Sequence, residues 1–182
     1  IWEYYKGVFA GIIIACVIIS IGVQMFQNSQ LKSLLSIAVV DSNYDHDEQV
    51  EALQNDFLAY AGTGDKHEVV DVDTSLLSGD DYNAVVKMTV VMGAGTADMM
   101  FCGEETYKKY KQQEAFLSWK EILGDDYSKY EEYMTDDGRL DLEKCPNWEK
   151  YNMVYYSPVY AVVMSSSKNL ENCIKFLEMM VQ

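Results

Sequence analysis

Basic residues are scarce in this 182-residue chain. Fourteen Lys and Arg stand against twenty-nine Asp and Glu, for a formal net charge of −15. A surface of that sign repels nucleic acid and anionic lipid, so neither is an expected partner. Histidine is scarcer still: His46 and His67 are the two in the chain, and neither has a Cys or a second His at metal-ligand spacing. The four cysteines, Cys16, Cys102, Cys145 and Cys173, form no CxxC pair. No metal site and no cofactor is therefore expected. For the three later cysteines two states stay open: one disulfide with one free thiol, or three buried reduced thiols. There is no GxSxG elbow and no assignable Ser/His/Asp set, so an enzyme is not expected. Internal repeats and low-complexity tracts are also absent.

What the chain does have is a long apolar run. Gly7–Phe26 reads GVFAGIIIACVIISIGVQMF, without charge and with only Ser20 and Gln24 polar. The uncharged stretch runs from Gly7 to Leu31, between Lys6 and Lys32. About 20 residues at about 1.5 Å each match a hydrocarbon core of about 30 Å. Trp2, Tyr4 and Tyr5 precede the run, where amphipathic rings favour the headgroup layer. The expectation is a single-pass transmembrane helix, with residues 1–30 as anchor and 31–182 as an extracytoplasmic α/β domain. A cleaved signal peptide would need small residues near Val23-Gln24-Met25-Phe26, which are missing. Ile13-Ile14-Ala15-Cys16 resembles a lipobox, but the apolar run continues past Cys16. Lys6 before the run and acidity after it predict a cytoplasmic N-terminus at the cell membrane, and the initial Ile predicts residues upstream.

Beyond the run, Leu34–Val40 (LLSIAVV) reads as a buried strand. Asp45–Ala61 follows as a helix with Val50, Leu53, Phe57 and Tyr60 at three- to four-residue spacing and acids in its first turn. His67–Asp73 reads as a strand nearer an edge. Asp80-Asp81 open a helix through Met92, ended by Gly93-Ala94-Gly95. Ala97–Phe101 is a short central strand, and Glu104–Gln113 a polar helix. Asp126–Met134 reads as a short charged helix. Met153–Tyr156 and Val159–Met164 read as extended runs parted at Ser157-Pro158, and Asn169–Val181 as a closing amphipathic helix. The order β-α-β-α-β-α predicts an α/β sandwich with a mostly parallel sheet. Many of the fourteen tyrosines, Tyr107, Tyr110, Tyr127, Tyr130 and Tyr133 among them, sit in charged contexts that suit a ring on the core and a hydroxyl in water.

Several apparent motifs dissolve on inspection. The stretch Asp41–Glu48 looks like a calcium loop, but His46 stands where the turn needs Gly, and Ala52 where the bidentate Glu belongs. Gly93-Ala94-Gly95-Thr96-Ala97 follows a helix instead of a strand, so it cannot aim a helix at a pyrophosphate. The pairs Asp80-Asp81, Glu104-Glu105, Asp125-Asp126 and Asp136-Asp137 fall at helix starts or turns, where capping explains them. Ser42 with His46 is the one plausible nucleophile and base. A positional argument remains. Ligands of open α/β sheets sit outside the carboxyl ends of the strands. That rule selects Asp41, Ser42, Asn43, Thr74, Gly103 and Glu104 as ligand-binding candidates.

Two segments carry a family likeness. Ala97-Asp98-Met99-Met100-Phe101, the run Gly103–Tyr110 and Ala115-Phe116-Leu117-Ser118-Trp119 form the first, with Glu114 where the pattern has Gly. Tyr160–Asn169 with Cys173-Ile174-Lys175-Phe176-Leu177-Glu178 forms the second. Together they resemble extracytoplasmic solute-binding proteins of the type II periplasmic-binding-protein fold. The resemblance implies that the "aD" strand lies next to a ligand cleft. Family members have two lobes and this chain has room for about one, so the resemblance implies a reduced, membrane-tethered relative. Its expected role is a non-enzymatic binding or accessory module, for a small solute or beside a partner membrane protein such as a transporter. The alternative is a protein-interaction or sensor ectodomain.

Overall fold

The computed structural model describes residues 13–23 and 30–182. Contacts within the chain separate two units, Ile1–Lys32 and Ser33–Gln182. In the first, residues 13–23 are helical (α1), and Ile13, Ile14, Val17, Ile18, Ile19, Ile21 and Val23 are all exposed. The expected transmembrane helix over Gly7–Phe26 is not supported. Among the described residues no helix is long and apolar enough to cross a membrane. The two ends of the expected span lie outside the described residues.

The second unit is built on one six-stranded sheet. Its strands are β1 (Lys32–Val40), β2 (Glu68–Leu76), β3 (Met99–Cys102), β4 (Phe116–Leu117), β5 (Leu140–Asp141) and β6 (Tyr160–Met164). They lie in the order β2-β1-β3-β6-β4, with β5 also paired to β6. The sheet is mixed, which corrects the expectation of a mostly parallel one. β1 and β3 are parallel, with Ile37 opposite Met99 and Val39 opposite Phe101. β6 runs antiparallel to β3, β4 and β5. The cause is where the chain enters. Val159, just before β6, accepts the Leu142 amide, and Tyr160 pairs with Cys102 at the carboxyl end of β3. A strand that starts there must run back along its neighbour.

The alternation of side chains divides the apolar residues between two faces. Leu35, Ile37, Val39, Met99, Phe101, Ala161 and Val163 belong to the larger core. Helices α2 (Asp47–Ala61), α6 (Trp148–Tyr151) and α7 (Leu170–Val181) contribute to it. Phe57, Phe176, Phe101 and Trp148 form a chain of ring contacts, with Phe101 meeting Trp148 edge-on at 5.6 Å between centroids. Ala38, Val40, Met100, Cys102, Val162 and Met164 belong to the smaller core, with α3 (Tyr82–Ala94) and α4 (Glu104–Lys111). The short α5 (Trp119–Leu123) is pinned by its Trp119 indole, which donates to Ala161 O at 2.9 Å.

Other expectations shift in detail. The charged segment 126–134 forms 3₁₀ turns, Gly124–Lys129 and Glu131–Tyr133, in place of one α-helix. The run Met153–Tyr156 makes a single bridge, Val154 to Ser42, and no strand. Cys102, Cys145 and Cys173 are free and buried, so none is in a disulfide. Burial pushes each of these thiols up to about 12.

Candidate functional site: a cleft at the carboxyl ends of β1 and β3

After β1 the chain passes through α2 to β2 on one side, then through α3 to β3 on the other. An order beginning 2-1-3 puts the topological switch point between β1 and β3. A cleft of about 300 Å³ opens there, lined by Asp41 from the end of β1, Gly103 to Thr106 from the start of α4, Ser78, and Tyr156 to Pro158. Asp41 leaves the strand with φ 51°, a left-handed turn that Asp tolerates better than most residues. Its amide donates to Leu76 O at 2.9 Å, and its Oδ1 accepts the Ser78 amide at 2.9 Å. The loop after β2 is thereby tied to the rim.

Tyr156 forms the floor. Its hydroxyl donates to Val40 O at 2.9 Å and reaches Phe101 O at 3.4 Å, spanning the split between the two parallel strands. Burial drives its pKa strongly upward, so the phenol stays a donor at all ordinary pH. Gly103 packs closely beside it: a Cβ at that position would lie 3.3 Å from the tyrosine ring, close enough that the ring would have to give. The Ser157–Pro158 peptide, in the cis form, completes the wall.

The acids of the cleft are held unequally. Glu104 accepts from Arg139 Nη1 and pairs with Lys108 at 3.0 Å. The Arg139 hydrogen bond, and then that of Lys108, hold its carboxyl below the usual range. Arg139 is nearly buried. Its guanidinium lies 4.3 Å from the Tyr107 ring centroid and 4.0 Å from that of Tyr160, and its Nε donates to Asp137 at 2.7 Å. Burial opposes ionisation of Asp137, but hydrogen bonds from Thr135, Arg139 and Lys111 outweigh it and hold this carboxyl down at about 2. Glu105 and Asp41 add negative charge to the rim.

Of the six candidates chosen from the sequence, Asp41, Gly103 and Glu104 line this one cleft. Ser42, Asn43 and Thr74 do not. Ser42 Oγ donates to Thr74 O at 2.8 Å, and the Asn43 amide donates to Met153 O at 2.9 Å. His46 Nδ1 donates to Asn43 O, so the Ser42 hydroxyl and the His46 ring are each committed to a different backbone carbonyl. Ser78, Tyr156 and Arg139 were missed. Each reaches the site from far along the chain, and no local spacing marks them. Among the described residues no group of three or more His, Cys, Asp and Glu could hold a metal ion.

The opposite ends of the strands are organised differently. Asp98, which precedes β3, is 6% exposed. Its carboxyl group accepts from the Ser36 amide at 3.0 Å, Ser167 Oγ at 2.8 Å and Asn169 Nδ2 at 3.0 Å. The two family-like segments thus meet here, because Asp98 of one is bonded to Ser167 and Asn169 of the other. The adjoining hollow of about 370 Å³ also includes Gly95, Thr96 and Lys168. Asp98 lies at the amino end of β3, whereas the cleft borders the carboxyl end of the same strand.

No family model matches the chain, and no match is found among curated proteins or solved structures.

Proposed function

We propose that the chain is a non-enzymatic binding or accessory module of solute-binding type, and that the cleft between the ends of β1 and β3 is its solute site. One observation supports this reading above the others. The cleft coincides with the crevice where an open α/β sheet of this strand order takes its ligands. Its chemistry narrows the class. Asp41, Glu104 and Glu105 surround a floor made by the Tyr156 ring, and the cleft offers no free cation. A small solute bearing an amine or another positive group fits such a lining. The two family-like segments add the role, an accessory to transport.

Thermal unfolding of the chain in the presence of small solutes tests the reading. A solute at about 100-fold its dissociation constant adds roughly 2.7 kcal/mol of stability. Amines and basic amino acids are expected to raise the melting temperature, and sugars or carboxylates to leave it unchanged. Asp41→Asn keeps the acceptor for the Ser78 amide and tolerates the left-handed backbone. It should weaken amine binding while the melting temperature without solute stays within a degree or two. If no solute class raises the melting temperature, the reading fails.

A further inference from the structure

Helix α4 begins on the wall of the cleft. Its first turn, Glu104 to Thr106, and the preceding Gly103 all line the space. The first amides of a helix have no partner within it, and a Ser, Thr, Asp or Asn side chain at the cap position often covers them. Here Gly103 holds that position, and no side chain caps the helix. The first bond of the helix runs from the Tyr107 amide to Gly103 O at 3.0 Å, so the amides of Glu104, Glu105 and Thr106 come before it. They form the positive end of the helix dipole.

A second feature points to a ligand at the same place. Thr106 is a cleft-lining residue and is only 6% exposed. Among the described residues its hydroxyl has no hydrogen-bond partner. The neighbouring hydroxyls are committed. That of Tyr156 donates to Val40 O at 2.9 Å, and that of Ser157 to a Glu143 carboxylate oxygen at 2.9 Å. Buried hydroxyls are normally bonded, so an unpaired one beside a cleft is a place for a ligand atom.

Granted the solute site proposed above, we infer that the solute is a zwitterion, with a carboxylate beside its amine that is received by the first turn of α4 and the Thr106 hydroxyl. The amides and the hydroxyl donate to the carboxylate oxygens, and the amine meets Asp41 and Glu105 on the rim. Glu104 stands in the same turn, but Arg139 and Lys108 match its charge. The two halves of the site select together. A carboxylate arriving alone is repelled by the rim acids, and an amine arriving alone leaves the Thr106 hydroxyl unpaired. An amino acid satisfies both. The volume of about 300 Å³ is at the small end for ligand pockets, which suits a solute of that size.

Pairs of solutes that differ only in the carboxylate test this by calorimetric titration of the full chain: arginine against agmatine, lysine against cadaverine, and alanine against ethylamine. In the pairs that bind, the amino acid should bind about tenfold more tightly than its amine, the worth of a hydrogen bond to a charged group. Thr106→Val keeps the shape and removes the hydroxyl. It should cut amino-acid affinity about tenfold and leave amine affinity within about twofold. The hydroxyl has no partner in the free chain, so the melting temperature without solute should not fall, as it would if Thr106 were only structural. Thr106→Ser should restore the preference. Amines that bind as tightly as their amino acids, or a Thr106→Val chain that keeps the full preference, overturn the inference and leave the cleft an amine site. If no member of any pair binds, the solute site itself fails, and the inference with it.

Discussion

Strand β3 is bracketed by two acids in opposite surroundings. Asp98 precedes its amino end, nearly sealed, and its carboxyl group accepts from three neutral donors, Ser36 N–H, Ser167 O–H and Asn169 NH₂. Glu104 follows its carboxyl end, with a side chain 33% exposed, ionic partners in Arg139 and Lys108, and a face on the cleft. A hollow adjoins each acid, and the one beside Asp98 is the larger. Volume alone therefore does not identify a site. What separates them is whether the polar groups have capacity left. Asp98 is spent on joining the start of β3 to the loop before α7. Glu104 is held by the cations Arg139 and Lys108 at the edge of an open cleft, beside Asp41 and Glu105.

The comparison breaks most readily at Asp98. Asp98→Ala removes the acceptor of three donors in a nearly closed place, and a buried donor left unsatisfied costs about 1–3 kcal/mol. A total of about 3 kcal/mol is expected in urea unfolding, with solute binding at the cleft unchanged in the folded fraction. Loss of binding with little loss of stability would reverse the roles given to the two ends.

A smaller effect is expected from Arg139→Lys at the other end. A lysine keeps the charge but not the planar fork that serves Glu104 and Asp137 together, nor the stacking between Tyr107 and Tyr160. The loss should be about 1–2 kcal/mol. Because Glu104 loses its orienting partner, solute affinity should fall as well. Stability that is unchanged in the lysine variant would mean that the network is only a screened surface pairing.

Much of this architecture was legible from composition and period. LLSIAVV, MMFC and YAVVM are continuous apolar runs because those strands are covered on both faces. The end of α3 was marked by Gly93-Ala94-Gly95, where Gly95 takes φ 62°. The position rule placed half of the chosen residues on the cleft. It failed at Ser42, Asn43 and Thr74 because a polar side chain at a strand end can equally bond its neighbour's backbone, which a sequence does not reveal. Tyr156 was invisible for a related reason: its role depends on carbonyls 116 and 55 positions away. The direction of β6 could not be read either, since an apolar run of five residues carries no sign. At Gly7–Phe26, hydropathy counted apolar residues, but among the described residues no helix is long and apolar enough to cross a membrane.

Acid should distinguish the two ends by the smallest of the three effects. Asp137 ionises near 2 in the folded chain because Thr135, Arg139 and Lys111 donate to its carboxylate against the cost of burial. Its unfolded value is about 3.9. A carboxyl lowered on folding stabilises the folded state above its unfolded pKa, and that contribution disappears as pH falls through the folded value. The window is therefore about pH 4 down to about pH 2. Asp137 is partly exposed, so solvent screening leaves the contribution below that of Arg139. Asp137→Asn should be less stable than wild type at neutral pH, and the difference should shrink through this window until the two coincide near pH 2. Added salt should shrink it as well, because two of the partners, Arg139 and Lys111, are cations. The cost of Asp98→Ala, whose lost partners are neutral, should hardly respond to salt. If the Asp137→Asn difference stays constant from pH 7 to pH 2, the carboxyl end is not held by charge, and the contrast between the two ends of β3 loses its electrostatic basis.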